Sequence, residues 1–257
     1  MTVRELFELK GRVALVTGGS RGLGLQIAQA LGEMGARIAI SARKPAELEE
    51  AKSQLAKQGI EALTVVNDLT KPDQVPALLA SVLEHYGRID ILVNNAGTSW
   101  GAPAEDHPLE AWNKVMTLNA TSVFMLSQAV AKRCFLPQRS GNIIVIASVA
   151  ALRVGAQMKA AAYYSSKAAA LHLTRVLAQE WGPFGIRVNA ICPGFFPSKM
   201  SSGVLEKIEA SVIRQTPLGR LGNDTDLMGA AVYLASDASR HVTGQYIAVD
   251  GGVSSAA

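Results

Sequence analysis

At 257 residues, with no composition shift, low-complexity run or Pro/Ser-rich linker, the chain reads as one domain over 1–257 rather than two small ones. Lys and Arg number 25 against 21 for Asp and Glu, and the resulting charge of 25 − 21 = +4 is too small and too scattered for a nucleic-acid-binding face. The charged start MTVRELFELKGR and the lack of any apolar run of spanning length point to a cytosolic protein without a membrane partner, and two cysteines and four histidines without ligand spacing point to no metal.

Short runs rich in Val and Ile alternate with segments of helical period. Strands are expected near 12–17, 37–41, 62–67, 89–94, 142–147, 187–191 and 246–249, and helical segments begin near Leu23, Ala46, Lys71, Leu109, Ala161 and Asp224. Strands apolar on both sides, alternating with helices, imply an α/β fold in which a parallel sheet is covered on both faces. Ligands in such sheets bind beyond the carboxyl ends of the strands.

The first strand, VALVT, runs straight into GGSRGLG and an amphipathic helix carrying Ile27, Leu31 and Met34. Gly18, Gly22 and Gly24 permit a tight turn and a close approach of backbone to a pyrophosphate, whose charge a helix N-terminus stabilises. The spacing is G-x-x-x-G-x-G rather than the commoner G-x-G-x-x-G. After the second strand, IAISARK, no acidic residue is placed to hold a ribose 2′-hydroxyl; Ala42 stands there, followed by Arg43 and Lys44, with Arg21 in the glycine loop. Guanidinium groups pair with a 2′-phosphate that a carboxylate would repel, which favours NADPH over NADH. The alternative is that Arg43 and Lys44 merely solvate a helix start.

Asp68, in VVNDLT, ends the third strand where an adenine would lie, and also suits a helix cap before Lys71. ILVNNAG ends the fourth, and Asn94 and Asn95 can satisfy neighbouring backbone while the small residues leave room for a cofactor, unless the string is only a turn. Tyr163 and Lys167 are four residues apart in a segment of helical composition, so they share one face. Lowering a Tyr pKa from about 10 towards neutrality requires roughly 3–4 kcal/mol, and a cation at about 4 Å and an effective dielectric of about 20 contributes about 4 kcal/mol before desolvation. Such a pair is either an acid–base couple or ordinary packing. Tyr164, three residues from Lys167, is the competing phenol.

TGGSRGLG, NNAG, Asn119 in LNATS, Ser148, the Tyr163/Lys167 pair, Pro193-Gly194 and a C-terminal VDGG, in that order and over essentially the whole chain, resemble the short-chain dehydrogenase/reductase family. The resemblance implies a single Rossmann-type doubly wound domain of about seven parallel strands with helices on both faces. It also implies that Tyr163 donates a proton to a carbonyl oxygen as a nicotinamide delivers hydride, that Lys167 lowers the tyrosine pKa and holds the nicotinamide ribose, that Ser148 binds the substrate oxygen, and that Asn119 anchors a water leading to Lys167. Cofactor contacts are implied for Gly18, Ser20, Arg21, Gly22, Leu23, Gly24, Arg43, Asp68, Leu69, Asn95, Ala96, Gly97, Tyr163, Lys167, Pro193, Gly194 and Phe196. Ser198 stands where the family often has a Thr on the carboxamide. By the same resemblance the protein is a homotetramer built partly on the helix bearing Tyr163 and the C-terminal segment.

The interval from Ser148 to Tyr163 is longer than in many members and enlarges the loop over the substrate. A substrate lid is expected over about 195–216, and Trp100, Met158, Phe195, Phe196, Met200, Val204, Leu205 and Ile208 are candidates for an apolar pocket. NNAGTSWGA looks like the β-ketoacyl reductases, which act on 3-oxoacyl substrates, although Lys132, Arg133 and Arg139 match only in part the basic residues those enzymes use to dock a carrier protein. GFFPSKM and EWGPFGIRVNAICPG look like the gluconate 5-dehydrogenases, which handle sugar acids. The expectation is an NADPH-dependent carbonyl reductase on an apolar or 3-oxoacyl ketone. A sugar-acid oxidoreductase is the alternative, and a non-catalytic dinucleotide sensor the remote one.

Overall fold

Five consecutive buried residues make β1 (Val13–Thr17), and an unbroken apolar run of this kind belongs to a strand covered on both faces. The computed structural model describes residues 1–155, 158–197 and 202–255, with backbone alone for 202–208. A short α1 (Val3–Phe7), held by a capping box between Thr2 and Glu5, precedes β1. There follow α2 (Gly22–Glu33), β2 (Arg37–Ala42), α3 (Pro45–Lys57), β3 (Ala62–Val66), α4 (Val75–Tyr86) and β4 (Ile91–Asn94). The second half holds α5 (Leu109–Met116), α6 (Ser122–Val130), α7 (Leu136–Gln138), β5 (Gly141–Ile146), α8 (Ala161–Trp181), β6 (Ile186–Pro193), α9 (Ser202–Gln215), α10 (Met228–Ala235) and β7 (Tyr246–Val249).

The strands form a seven-stranded sheet in the order β3-β2-β1-β4-β5-β6-β7, and every pairing is parallel. Alternate residues of each strand enter different apolar layers. Val13 and Leu15 join Leu78, Leu126, Phe135 and Leu177 from the α4, α6 and α8 side, while Ala14 and Val16 join Ile27, Leu48 and Leu234 from the α2, α3 and α10 side. The chain is therefore a doubly wound α/β fold, and its strand order reverses between β1 and β4. No described helix is long and apolar enough to cross a membrane.

Where elements differ from expectation, side chains explain it. β4 begins at Ile91 rather than near 89 because the Asp90 carboxylate accepts the Val13 N–H at 2.9 Å and Arg88 grips the same carboxylate. α10 begins at Met228 rather than near Asp224 because the Asn223 side chain accepts from both N–H and hydroxyl of Thr225, closing a turn that competes with a helix. The helical stretch from α5 to α7 is interrupted by π turns at Thr117–Thr121 and Ala131–Phe135, which no period in the sequence announced.

Phe135 is fully buried and lies against Gly141, where a Cβ would collide with its ring. Phe135→Ala should therefore lower stability by about 3–5 kcal/mol, read as a shift of the urea midpoint at unchanged slope.

Candidate active site

The reversal between β1 and β4 is closed by side chains. Thr17 Oγ1 donates to the Val93 carbonyl at 3.2 Å and accepts the N–H groups of Asn95 and Ala96, each at 3.1 Å. Asn95 Nδ2 donates back to the carbonyls of Thr17 (2.9 Å) and Gly18 (3.1 Å). The loop that follows β1 needs glycine twice for conformation, with φ of 62° at Gly18 and 53° at Gly22. It needs it once for space, since a Cβ on Gly24 would strike the Gly18 carbonyl and the Asn95 amide. Arg21, the N-cap of α2, makes no side-chain cap, so the first-turn N–H groups of that helix are left for a ligand.

A cleft of about 890 Å³ opens beyond these strand ends and is continuous from the glycine loop to α8. Gly18, Ser20, Arg21, Gly22, Leu23 and Gly24 line one wall, with Arg43, Asp68 and Leu69 at the β2/β3 end and Asn95, Ala96 and Gly97 after β4. Asp68 accepts the N–H (3.0 Å) and hydroxyl (2.8 Å) of Thr70. Burial pushes its pKa up, but those bonds and the charges of Arg43 and Lys71 outweigh it and hold the carboxyl below its usual range. Arg21 and Lys44 both reach Glu47, at 2.8 and 3.2 Å. A left-handed glycine turn, an uncapped helix start and a basic far end together suit a dinucleotide bearing phosphates, so the residues present fit such a cofactor.

At the other end of the cleft Ser148 follows β5. Its Oγ accepts the Ala150 N–H at 3.1 Å, capping a 3-10 turn, and Ser148 lines the cleft together with Tyr163. Lys167 is buried, at 6% exposure, and its Nζ donates to the Ile146 carbonyl at 2.7 Å. Burial draws its pKa down to about 8, with Cys192 opposing. Nζ lies 5.8 Å from the centre of the Tyr163 ring. The lowering of the Tyr163 pKa that the resemblance implied for Lys167 is not seen: a buried ammonium needs an acceptor, and here the Ile146 carbonyl supplies it. Accordingly the Tyr163 pKa lies above 10.0, raised by burial, lowered by Ser148 and raised by Tyr164. Tyr164 itself accepts the Gly155 N–H at 3.1 Å, so the competing phenol ties down the loop after Ser148.

Asn119 does not line the cleft. It sits in the first π turn, buried, with Oδ1 accepting from Thr98 N–H (2.9 Å) and Nδ2 donating to the Thr98 carbonyl (2.8 Å) and Ser166 Oγ (3.0 Å). Ser166 in turn donates to the Tyr163 carbonyl at 2.8 Å. Pro193, Gly194 and Phe196 do line the cleft, and Phe196 is buried against Gly222 and the α10 core. Ser198 and Met200 lie outside the described residues, as do the side chains of Val204, Leu205 and Ile208. Of the proposed apolar pocket, Met158, Phe195 and Phe196 line the cleft, whereas Trp100 does not and is 46% exposed.

The sequence did not single out Thr17, Glu47, Arg153, Val212 or Val253. Arg153 and Val253 both line the cleft and are joined by a hydrogen bond from Nη1 to the Val253 carbonyl across 100 positions of chain, a pairing no local pattern signals. Val212 was legible, because it falls four residues after Ile208 on the same helical face.

A family profile described as enoyl-(acyl carrier protein) reductase matches residues 18–254. The chain is 41% identical over 255 residues to the rhamnolipids biosynthesis 3-oxoacyl-[acyl-carrier-protein] reductase of Pseudomonas aeruginosa, covering 96% of this chain and 97% of that protein. Among solved structures, a short-chain type dehydrogenase/reductase from Mycobacterium marinum superposes with a TM-score of 0.95 at 38% identity, covering 98% and 99% of the two chains. A gluconate 5-dehydrogenase from Burkholderia cenocepacia in complex with NADP and tartrate superposes with a TM-score of 0.94 at 35% identity, covering 100% of both.

The buried amine gives a pH test. Lys167 ionises at about 8 in the fold and at 10.5 ordinarily, so between these values only the unfolded chain holds its proton and stability rises with pH. Cys192, raised from 9.0 to about 11, and Tyr163, also raised, act in the opposite sense above their ordinary values. The unfolding free energy of the native chain minus that of Lys167→Met, from denaturant titrations, should therefore climb as pH rises from about 8 towards 10.5; a flat difference would show that the amine is not desolvated.

Proposed function

The chain belongs to the short-chain dehydrogenase/reductase family, and on that premise we propose that it is an NADP(H)-dependent oxidoreductase that interconverts a ketone and a secondary alcohol. The observation that carries this reading is the meeting of Ser148, Tyr163 and the buried Lys167 in the same cleft as the glycine loop. When bound, the nicotinamide supplies a hydride for the carbonyl carbon. The hydroxyls of Ser148 and Tyr163, which line the same cleft, would both bind the carbonyl oxygen and so orient the carbon they leave exposed. Tyr163, with its pKa raised, keeps its proton at neutral pH and is in the acid form needed for reduction. The chain from Asn119 through Ser166 to the Tyr163 carbonyl holds the start of α8 and with it the phenol's position.

For the cofactor, the glycine loop and the start of α2 would take the phosphates, Asp68 and Leu69 the adenine edge, Asn95, Ala96 and Gly97 the central stretch, and Pro193, Gly194 and Phe196 the nicotinamide end. Arg21, Arg43 and Lys44 would meet a 2′-phosphate, and the NADP bound to the Burkholderia relative supports that choice.

Met158, Phe195, Val212 and Val253 give the substrate end a mostly apolar lining, which favours an apolar or 3-oxoacyl ketone and agrees with the Pseudomonas relative. One observation favours a sugar acid instead: the guanidinium of Arg153 lines the same cleft, and no described carboxylate forms an ion pair with it. NADPH oxidation is to be followed against an acetoacetyl thioester and 5-ketogluconate in parallel. Turnover of the thioester is expected. Turnover of the sugar acid alone, with a KM that Arg153→Met raises, would establish the second reading. Tyr163→Phe should cut turnover by roughly 10²–10⁴ while NADPH still quenches protein fluorescence as in the native chain. Undiminished turnover would move the proton donor elsewhere.

A further inference from the structure

The basic residues at the adenosine end of the cleft converge on a carboxylate. Arg21 Nη1 and Lys44 Nζ lie 2.8 and 3.2 Å from one and the same oxygen, Oε1 of Glu47. The Glu47 side chain is 20% exposed, against 48% for Arg21 and 64% for Lys44, so the carboxylate is the anchored member and the cations are long arms folded onto it. Its place in the first turn of α3, just after Pro45, is one where a helix favours negative charge. Glu47 lines the cleft beside Arg21, Arg43 and Lys44. The neighbouring carboxylate, Asp68, is occupied by Thr70.

We infer that Glu47 competes with the cofactor's 2′-phosphate for Arg21 and Lys44, and so sets a ceiling on this enzyme's preference for NADPH over NADH. The inference rests on the NADP(H) reading above. A phosphomonoester brings about −1.5 to −2 charges and needs charged donors. To obtain them here it must draw both cations off Oε1 while approaching a carboxylate of like sign. A 2′-hydroxyl faces neither obstacle, because it can donate to that carboxylate and needs no cation. Arg43, which makes no ion pair with any described carboxylate, is left as the residue that tips the balance towards phosphate.

Glu47→Gln removes the charge and keeps the length of the side chain. Dissociation constants for NADPH, NADH, 2′,5′-ADP and 5′-AMP are to be measured by calorimetry on the intact protein, with thermal midpoints recorded to confirm folding. NADPH and 2′,5′-ADP should bind roughly three- to tenfold more tightly, and NADH and 5′-AMP should stay within about twofold. Weaker binding of the 2′-phosphorylated pair, or one common factor for all four, overturns the inference; Glu47→Ala guards against an effect peculiar to the amide. Arg43→Ala tests the underlying reading separately. Loss confined to the 2′-phosphorylated ligands places the phosphate here, so that an unmoved Glu47→Gln would then sink the Glu47 role alone. Equal loss for all four rejects the phosphate site, and the Glu47 role with it.

Discussion

A parallel sheet whose strand order reverses leaves a gap between two diverging loops, and the protein depends on how that gap is sewn. Thr17 and Asn95 do it with five hydrogen bonds between the ends of β1 and β4. Backbone groups at the strand ends, such as the Ala96 N–H and the Gly18 carbonyl, take their partners from these two side chains, and a buried group left without one costs about 1–3 kcal/mol. The same bonds fix the height of the glycine loop over the strand ends. That is why Gly24 has no room for a Cβ: the loop is pressed onto the Asn95 amide, and the start of α2 is aimed along the cleft as a result.

The two ends of the cleft handle positive charge in opposite ways. At the end beside the glycine loop the cations Arg21 and Lys44 are solvated arms paired with one carboxylate, Glu47. At the Tyr163 end a single ammonium is taken out of water, and its carbonyl partner does not repay the desolvation, so its pKa falls to about 8. A lysine in that condition sits near its own titration point at neutral pH. It can accept or pass a proton where an exposed lysine would only hold one.

Much of this was legible in the sequence, for physical reasons particular to each part. Buried parallel strands have to be continuous apolar runs, so the five inner strands stood out, and the glycines of the first loop could be placed because conformation and space allow nothing else. The pair Tyr163 and Lys167 was legible as a shared helical face, since α8 begins at Ala161. What the spacing could not give was the distance. That the amine of Lys167 donates to the Ile146 carbonyl, with its Nζ 5.8 Å from the centre of the Tyr163 ring, is decided by how α8 lies across β5, a matter of tertiary packing. Glu47 escaped notice because it reads as an ordinary first-turn acid of α3, and only the fold brings Arg21 to it from 26 residues away.

Asn119 carries the point furthest. In the sequence only the family resemblance marked Asn119, as the anchor of a water, whereas the structure puts it in a π turn and buries it. A π turn widens the helix by one residue and leaves the side chain free of the regular ladder. The amide spends both hydrogens and one lone pair on Thr98 and Ser166, so it binds the loop leaving β4 to the start of α8. A Cβ on Gly97 would come within 3.3 Å of Asn119 Oδ1 and 3.6 Å of Lys167 Nζ, so a side chain at this position would crowd both groups. One lone pair of Oδ1 is left over at that spot. With glycine at this position, the Asn119 amide and the buried amine of Lys167 face the same small space between the β4 loop and α8.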